Sequence, residues 1–497
     1  MALRQSSARA LLRSVTAAVL ILGVGVARAA PWAEVGDDQL RSDVETLAMA
    51  GIIDDLTTHW PLPWTRILDR ITLSDALVNQ PAAVVAAAER LRARAAAEMT
   101  EDTNAFSAYI DGTNAPEIVR GFDALGRQNF QTQGTLSWNG ASTFIQLSAG
   151  VQSHNALDSQ TLLVDGTYIA KQVFGTALYA GYLTHWWGPG WISALSLSNN
   201  ARPIPQIGIS RLDTTPFKSR WLSWLGPWQA EFFVGVLRSD LLSGNTLIDG
   251  LHFNFNPAPG LEIGLERMDE SCGHGHPCNP LNYFNFNNSV SHPSKTNDQG
   301  DIDLKYTHRL GGVELSAYLQ LMNEDSNPVL HSATSHLAGL TAWVPVGQTR
   351  VRITAEVTDT IATTDIFSFG NYIYGSPYND YKYPGGMRFR DRALGFSLDD
   401  DSKLETLQVS WLGPQQMTWT LTYHHANINA VVGDPGVDPG RNFLSATRVP
   451  MDIGQARVSF PLGAHFTVEV EARYSSNQLP PAHGSQGAGE VRLGYSL

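Results

Sequence analysis

Two cysteines and two histidines in the stretch CGHGHPC, residues 272–278, have side chains that could bind a metal. Their spacing does not match that of the established zinc modules. Cys272 and Cys278 are the two cysteines of the chain, and closely spaced thiols form short-loop disulfide bonds in an oxidising compartment. We therefore favour a disulfide between Cys272 and Cys278 over a zinc site, and we expect no metal.

Two acidic clusters could indicate calcium binding or catalysis. The run Asp399-Asp400-Asp401 lacks the ligand spacing of an EF-hand loop, and we interpret it as the beginning of a solvated loop. Glu469 and Glu471 resemble a glycosidase pair, but they lie on one polar strand face, so we predict that they line a lumen. The sequence contains no G-x-S-x-G or H-E-x-x-H motif. We expect no catalytic residue, no cofactor and no enzymatic activity.

The stretch HWWGPGW, residues 185–191, concentrates aromatic surface around one proline. Proline and glycine exclude a helix interior or an inner strand, so we predict an irregular segment over 185–211 that folds against a larger scaffold. Trp186, Trp187 and Trp191 could stack on the C–H faces of a sugar, or they could anchor the segment itself. Both interpretations stay open for these three residues.

Polar side chains after this stretch could provide the directed partners that sugar hydroxyls need. Amides and guanidinium groups of this kind bind hydroxyls and acidic glycans, but they also stabilise irregular loops. The candidates for polysaccharide contact are therefore Trp186, Trp187, Trp191, Asn199, Asn200, Arg202, Arg211, Arg388 and Arg390.

The first thirty residues have the pattern of a targeting segment. Residues 1–29 combine a basic start, an apolar run too short to span a bilayer, and a small-x-small cleavage signal. We predict a cleaved signal peptide over 1–29 and an exported protein. The remaining 30 basic and 47 acidic side chains give a formal charge of −17, which excludes nucleic acid as a partner because phosphate binding needs clustered Lys and Arg.

The rest of the chain divides into two patterns. Helical periodicity predicts helices near 37–50, from 64, and over 81–99, which we assign to a helical bundle or plug over 30–115 on the periplasmic side. From about residue 127 the period becomes 2, as in 416–423, where Met417, Trp419, Leu421 and Tyr423 alternate with polar residues. We predict that 116–497 forms strands with one apolar and one polar face.

Either a soluble sandwich or an outer-membrane barrel satisfies this alternation. Segments of nine or ten residues match tilted membrane strands, and short connections alternate with long ones. The chain ends in an alternating apolar strand that closes on Leu497. We therefore predict a mainly β fold, a closed antiparallel transmembrane barrel of about 18 strands.

Several long motifs carry a family resemblance. The stretch HWWGPGWISALSLSNNARPIPQIGISR (185–211) resembles the signature of the capsule assembly Wzi family, and the similarity continues in WLSWLGPWQAEFFVG (221–235) and GGMRFRDRALGFSLDDDS (385–402). The N-terminal segments LRSDVETLAMAGIID (40–54) and WPLPW (60–64) fit the helical start of that family.

The resemblance implies an 18-stranded outer-membrane barrel with a periplasmic helical bundle. It implies a lectin that holds capsular or other surface polysaccharide at the cell surface, with outer-membrane lipid and other capsule-export components as further partners. A porin or a substrate-specific channel is the alternative, because its polar lumen would have the same strand pattern.

Overall fold

The computed structural model describes residues 31–72, 76–154, 160–238, 244–276, 278, 296–324, 333–347, 349–413, 416–433 and 441–497. The predicted signal peptide over 1–29 lies outside these residues and stays a prediction. Within the described residues, no helix is both long and apolar enough to cross a membrane.

Twenty described strands form one closed antiparallel sheet, and two of them, Leu162–Leu163 and Tyr372–Ile373, are two-residue extensions. The other eighteen form the wall. The last of these pairs with the first, Ser496 opposite Ser107, which closes the barrel. In chain order, the wall strands are β1 Thr103–Thr113, β2 Phe130–Asn139, β3 Thr143–Gln152, β4 Tyr168–Val173, β5 Thr176–Gly181, β6 Gln206–Arg211, β7 Trp228–Arg238, β8 Asn245–Ala258, β9 Leu261–Ser271, β10 Asn297–Leu310, β11 Val313–Glu324, β12 Thr334–Val346, β13 Thr349–Thr363, β14 Lys403–Leu412, β15 Thr418–Ile428, β16 Val449–Leu462, β17 Phe466–Ser475 and β18 Gln486–Ser496.

The two faces of the wall have opposite polarity. On β15, Trp419, Leu421 and Tyr423 are exposed on the outside, whereas Thr420 and His424 are buried inside. A soluble sandwich would bury the apolar face instead. The exposed apolar belt and the closed sheet confirm the prediction of a transmembrane barrel.

The two ends of the barrel differ in the length of their connections. Turns such as 174–175, 259–260 and 311–312 lie at one end, where 212–227 is a longer connection, and the long segments 114–129, 182–205 and 364–402 lie at the other. In outer-membrane barrels the short turns face the periplasm and the long loops face outward. We call the two ends the inner end and the outer mouth.

Three helices precede the wall: α1 Asp38–Met49, α2 Trp64–Ile71 and α3 Ala82–Met99. They confirm the predicted helical segments, and Asp37 caps α1 by accepting from the Leu40 amide at 2.9 Å. Their apolar side chains belong to the same core cluster as lumen residues such as Trp343 and Met322. The three helices, which we call the helical unit, therefore share their core with the barrel.

The predicted boundary at residue 115 was wrong, because β1 begins at Thr103 and pairs with both β18 and β2. The alternation was present in the sequence, since Phe106 and Ile110 face outward and Asp111 faces inward. It was assigned to the helical unit because only three residues separate Met99 from Thr103, too few to show a change of pattern.

Candidate functional site

The segment 182–205, which we call the inner loop, connects β5 and β6 but folds back into the lumen. Trp186 and Trp187 pair in antiparallel register with Trp60 and His59, which lie between α1 and α2. A Cβ on Gly190 would come within 2.1 Å of the Ser193 carbonyl oxygen, so this turn requires glycine. The segment predicted to be irregular over 185–211 is therefore a plug inside the barrel up to residue 205. The prediction was wrong for its last six residues, because Gln206–Arg211 forms the wall strand β6.

Among the wall carboxylates that bind the inner loop, Glu356 accepts the backbone amides of its central turn. Glu356 on β13 accepts from the backbone amides of Trp191 at 2.9 Å, Ile192 at 3.3 Å and Ser193 at 2.7 Å. The Tyr318 hydroxyl donates to the same carboxylate at 2.8 Å. Charge-assisted hydrogen bonds of this kind are stronger than neutral ones, so Glu356 fixes the position of the plug.

Trp191 has no open ring face for a sugar. The Cζ atoms of Arg41 and Arg352 lie 4.1 and 3.6 Å from its ring centroid, and the residue is 3% exposed. Arg41 also donates to the Pro189 and Gly190 carbonyl oxygens at 2.9 Å each. Because Trp186 and Trp187 are fully buried as well, all three tryptophans pack the plug.

The polar candidates of the inner loop bind other loops. Asn199 donates to the Phe122 carbonyl at 2.9 Å, and Asn200 donates to the Ala393 carbonyl at 2.9 Å. Arg202 donates to both carboxylate oxygens of Asp165, the shortest contact being 2.7 Å. The cavity beside Arg202 has a volume of about 20 Å³, enough for a water molecule and far too small for a sugar ring.

The segment 384–402, which we call the return segment, adds a second layer to the plug. Arg388 donates to the Asp399 carboxylate at 2.9 Å and to the Tyr378 carbonyl at 2.7 Å, and it is buried. Arg390 is half-buried at a left-handed backbone position, with its Cζ 5.2 Å from the Phe389 ring. Both arginines therefore lie within the plug.

The interpretation of Asp399–Asp401 as the start of a solvated loop was wrong. All three carboxylates are buried. Arg388 pairs with Asp399, and Asn379 donates to Asp400 at 2.7 Å. Burial, followed by the charges of Asp401 and Asp399, raises the pKa of Asp400 well above its usual range. The run is an internal anchor of the return segment.

Arg211 lies at the other end of the molecule. It is the last residue of β6, with its Cζ 3.7 Å from the Trp228 ring centroid and its guanidinium donating to the Trp228 carbonyl. The six residues of β6 span about 17 Å, so Arg211 lies at the inner end, far from Arg202. These two arginines therefore do not bind one ligand.

The outer mouth carries an exposed aromatic surface that the candidates above do not include. In the segment 364–382, which we call the aromatic loop, Phe367 is 81%, Phe369 73% and Tyr381 82% exposed. The Lys382 ammonium lies 5.0 Å from the Tyr381 ring centroid. The signal was present in the sequence, because IFSFGNYIYGSPYNDYKY, residues 366–383, is rich in aromatic residues and lacks strand alternation.

The beginning of the aromatic loop is held in one conformation. Tyr372–Ile373 pairs with the outer end of β13. Asp365 accepts from the Phe367 amide at 2.9 Å and from the Ser368 hydroxyl at 2.5 Å. A loop fixed in this way presents its rings at a small entropic cost, as a binding surface requires.

The disulfide lies at the same mouth. Cys272 and Cys278 are bonded to each other in the structure. The His276 ring between them stacks on the Tyr383 ring at a centroid distance of 4.4 Å. The loop after β9 therefore contacts Tyr383, the residue that directly follows the aromatic loop.

The chain is similar to known proteins. The family model of the capsule assembly protein Wzi matches residues 102–486. A protein of 55.8 kDa in the cps region of Klebsiella pneumoniae is 24% identical over 350 residues, which cover 69% of this chain and 68% of the relative. The solved structure of Wzi from Escherichia coli, described as a carbohydrate-binding outer-membrane β-barrel involved in group 1 capsule assembly, is 20% identical. It superposes with a TM-score of 0.79 and covers 93% of this chain and 98% of that protein.

Proposed function

The chain belongs to the Wzi capsule assembly family of outer-membrane β-barrels, and from this premise we propose that its aromatic loop binds the capsular polysaccharide at the cell surface. The single observation that carries this proposal is the exposure of Phe367, Phe369 and Tyr381 at the outer mouth. Exposed rings offer the apolar faces on which sugars stack. The description of E. coli Wzi as carbohydrate-binding supports the ligand class.

The nine residues that the sequence predicted as polysaccharide contacts have a different role in this proposal. The buried ones hold the inner loop and the return segment, and these segments support the aromatic loop from below. Tyr378, for example, donates to the Leu195 carbonyl of the inner loop at 2.5 Å. Substitution of these residues would weaken capsule retention by displacing the binding surface.

The filled lumen favours capsule retention over the alternative, a channel. The inner loop, the return segment and the helical unit all occupy the interior between the outer mouth and the inner end. We further propose that the helical unit faces the periplasm, where other capsule-export components would contact it, and that the protein catalyses no reaction.

The first experiment measures binding of purified capsular polysaccharide to the protein in detergent. Each stacked ring contributes about 0.5–1.5 kcal/mol, so the Phe367→Ala/Phe369→Ala double variant should bind about 5- to 100-fold more weakly. Trp221→Ala is the matched control, because Trp221 is 72% exposed but follows β6 at the inner end. Unchanged affinity in the double variant, or an equal loss in the control, would contradict the proposal.

The use of detergent separates two possible ligands of these rings. The Phe369 ring lies 5.4 Å from that of His336 on β12, a position that also suits contact with the outer leaflet. If these rings contact only lipid, the double variant should bind polysaccharide in micelles as tightly as the wild type. If they bind the glycan, the double variant should bind it more weakly. Cells that express the double variant should shed polysaccharide into the medium while the barrel assembles normally.

Single-channel recording in planar bilayers tests the alternative. The plugged barrel should show no steady conductance. Steady openings of the wild-type protein would favour the channel.

A further inference from the structure

Three ionisable side chains from three separate segments meet inside the lumen. His59 lies on the two-residue strand between α1 and α2, Glu266 on β9 and Asp303 on β10. The His59 Nε2 atom lies 2.8 Å from Glu266 Oε1 and 3.6 Å from Asp303 Oδ2. One ligand atom from each residue lies within 4.8 Å of the other two.

The hydrogen bond of His59 Nδ1 orients the imidazole ring so that Nε2 faces the two carboxylates. Thr58 Oγ1 donates to Glu262 Oε1 at 2.8 Å and lies 2.8 Å from His59 Nδ1. Because a hydroxyl has a single proton, Nδ1 must donate to it. This arrangement leaves Nε2 to face Glu266 and Asp303, and metal-binding histidines are typically oriented by such a bond of the second nitrogen.

Asp303 lies beside the Glu266 carboxylate and receives no close hydrogen bond from an N–H or hydroxyl group of the described residues. Its side chain is fully buried, and neither of its oxygens has a hydrogen-bond partner among the described residues. A Cβ on Gly264 would lie 2.4 Å from Asp303 Oδ1, so the glycine on β9 leaves the space that this carboxylate occupies. A buried carboxylate is stable only if a cation or a proton compensates its charge.

The neighbouring charges increase the excess of negative charge. Asp301 and Glu262 are also buried and lie on the same two strands as Asp303 and Glu266. Lys305 on β10 binds Glu45 of α1 at 3.0 Å and the Thr57 hydroxyl at 2.9 Å. Lys305 therefore forms its ion pair with Glu45 and not with Glu266 or Asp303.

We infer that His59, Glu266 and Asp303 bind a divalent transition-metal ion such as Zn²⁺, which joins the N-terminal segment to the barrel wall. One imidazole and two carboxylates form a donor set that suits zinc better than calcium. Ligand atoms around a tetrahedral zinc ion lie about 3.4 Å apart, and the 2.8 and 3.6 Å separations lie on either side of this value. This site is independent of the proposed glycan surface.

The test measures zinc in the full-length mature chain, purified in detergent, stripped with a chelator and dialysed against ZnCl2. Elemental analysis should find about one tightly bound zinc per chain. Asp303→Asn should lower the zinc affinity at least about 100-fold, and Thr58→Val, which removes only the orienting hydroxyl, should lower it about 10- to 100-fold.

Two controls separate this site from other acidic or histidine-containing positions. Glu314→Gln removes a buried lumen carboxylate that pairs with Arg350 instead. His274→Gln removes an imidazole of the loop at the outer mouth. Both variants should retain zinc as the wild type does. Loss of zinc in His274→Gln, with retention in Asp303→Asn, would assign the metal to the mouth and overturn the inference.

A stability measurement covers variants that assemble poorly. Zinc that binds only the folded barrel raises its unfolding temperature, so the chelator should lower the temperature at which the wild type changes its gel mobility. The chelator should have no such effect on Asp303→Asn. Wild-type protein that binds no zinc, and that the chelator does not destabilise, would overturn the inference.

Discussion

The inner loop and the aromatic loop have similar aromatic compositions and opposite environments. Three tryptophans lie within residues 185–191, and seven aromatic residues lie within 366–383. The tryptophans are buried in the lumen, whereas Phe367, Phe369 and Tyr381 are among the most exposed large side chains described. Aromatic density therefore does not identify a binding surface by itself.

The difference arises from the polar partners of each segment. The backbone of the inner loop forms hydrogen bonds with Glu356, which is 165 residues away from Trp191, and with Arg41, which is 149 residues away from Gly190. The aromatic loop instead satisfies its turn with Asp365, two residues from Phe367. Phe367 and Phe369 lie at a turn that its own residues hold and they stay in solvent, whereas Trp191 is enclosed by partners from the helical unit and the wall.

The largest effect that would test this comparison is expected for Trp191→Ala. Removal of a buried indole creates a cavity and should lower the free energy of unfolding of the plug by about 3–5 kcal/mol. Phe369→Ala should change the free energy by less than about 0.5 kcal/mol because its ring is exposed. Gel mobility against temperature measures both. Equal losses in the two variants would contradict the distinction.

Trp191→Ala should also reduce capsule retention while the barrel still assembles. The inner loop supports the aromatic loop through Tyr378, so polysaccharide should be exported and then shed. A full capsule on cells with a destabilised plug would show that the glycan surface does not depend on the inner loop.

A smaller effect is expected for Glu356→Gln. The amide keeps the shape of the side chain and one acceptor oxygen but loses the charge, so that one of the four donors is left poorly satisfied at a cost of about 1–3 kcal/mol. Amide hydrogen exchange at residues 191–193 should become faster, and brief conductance events should appear in bilayers. Glu405→Gln is the control, because Glu405 is an exposed carboxylate of β14. Unchanged exchange at 191–193 would assign the anchoring to side-chain packing alone.

The sequence predicted the wall better than the plug. Alternation identified the inward and outward faces because each wall residue is placed by its immediate neighbours, as on β15. The burial of Trp191 depends on Arg352, which lies on β13. No local pattern contains such a contact, and Asp399–Asp401 were misjudged for the same reason. Their partners Arg388 and Asn379 come from turns without regular periodicity.

Arg202→Lys should have a modest effect. Arg202 donates from Nε and Nη2 to Asp165 Oδ1 at 2.9 and 2.7 Å, and a lysine, with a single nitrogen, cannot form both of these bonds. The carboxylate is partly exposed, so the loss should be about 1 kcal/mol. Capsule retention should fall less than in Trp191→Ala, and added salt should reduce the difference between Arg202→Lys and the wild type. A loss as large as that of Trp191→Ala would indicate direct contact of Arg202 with the glycan.

The smallest effect concerns pH. We expect it in the stability of the interior and not in glycan binding by the aromatic loop. Glu34, in the N-terminal segment, accepts from the buried Tyr168 hydroxyl at 2.7 Å, and burial raises the pKa of Glu34 from 4.5 to about 6. The folded protein then binds more protons than the unfolded chain between pH 4.5 and 6. The stabilisation from this group is fully present below pH 4.5 and is lost as the pH rises through 6. Glu34→Gln should flatten this part of the pH dependence, measured as the shift of the unfolding temperature between pH 4.5 and 7. Glycan affinity should not follow the same curve, because the exposed Phe367 and Phe369 rings carry no titrating group. Parallel pH profiles for the wild type and Glu34→Gln would show that other buried carboxylates, such as Asp43, whose pKa burial also raises to about 6, control the pH dependence of the interior.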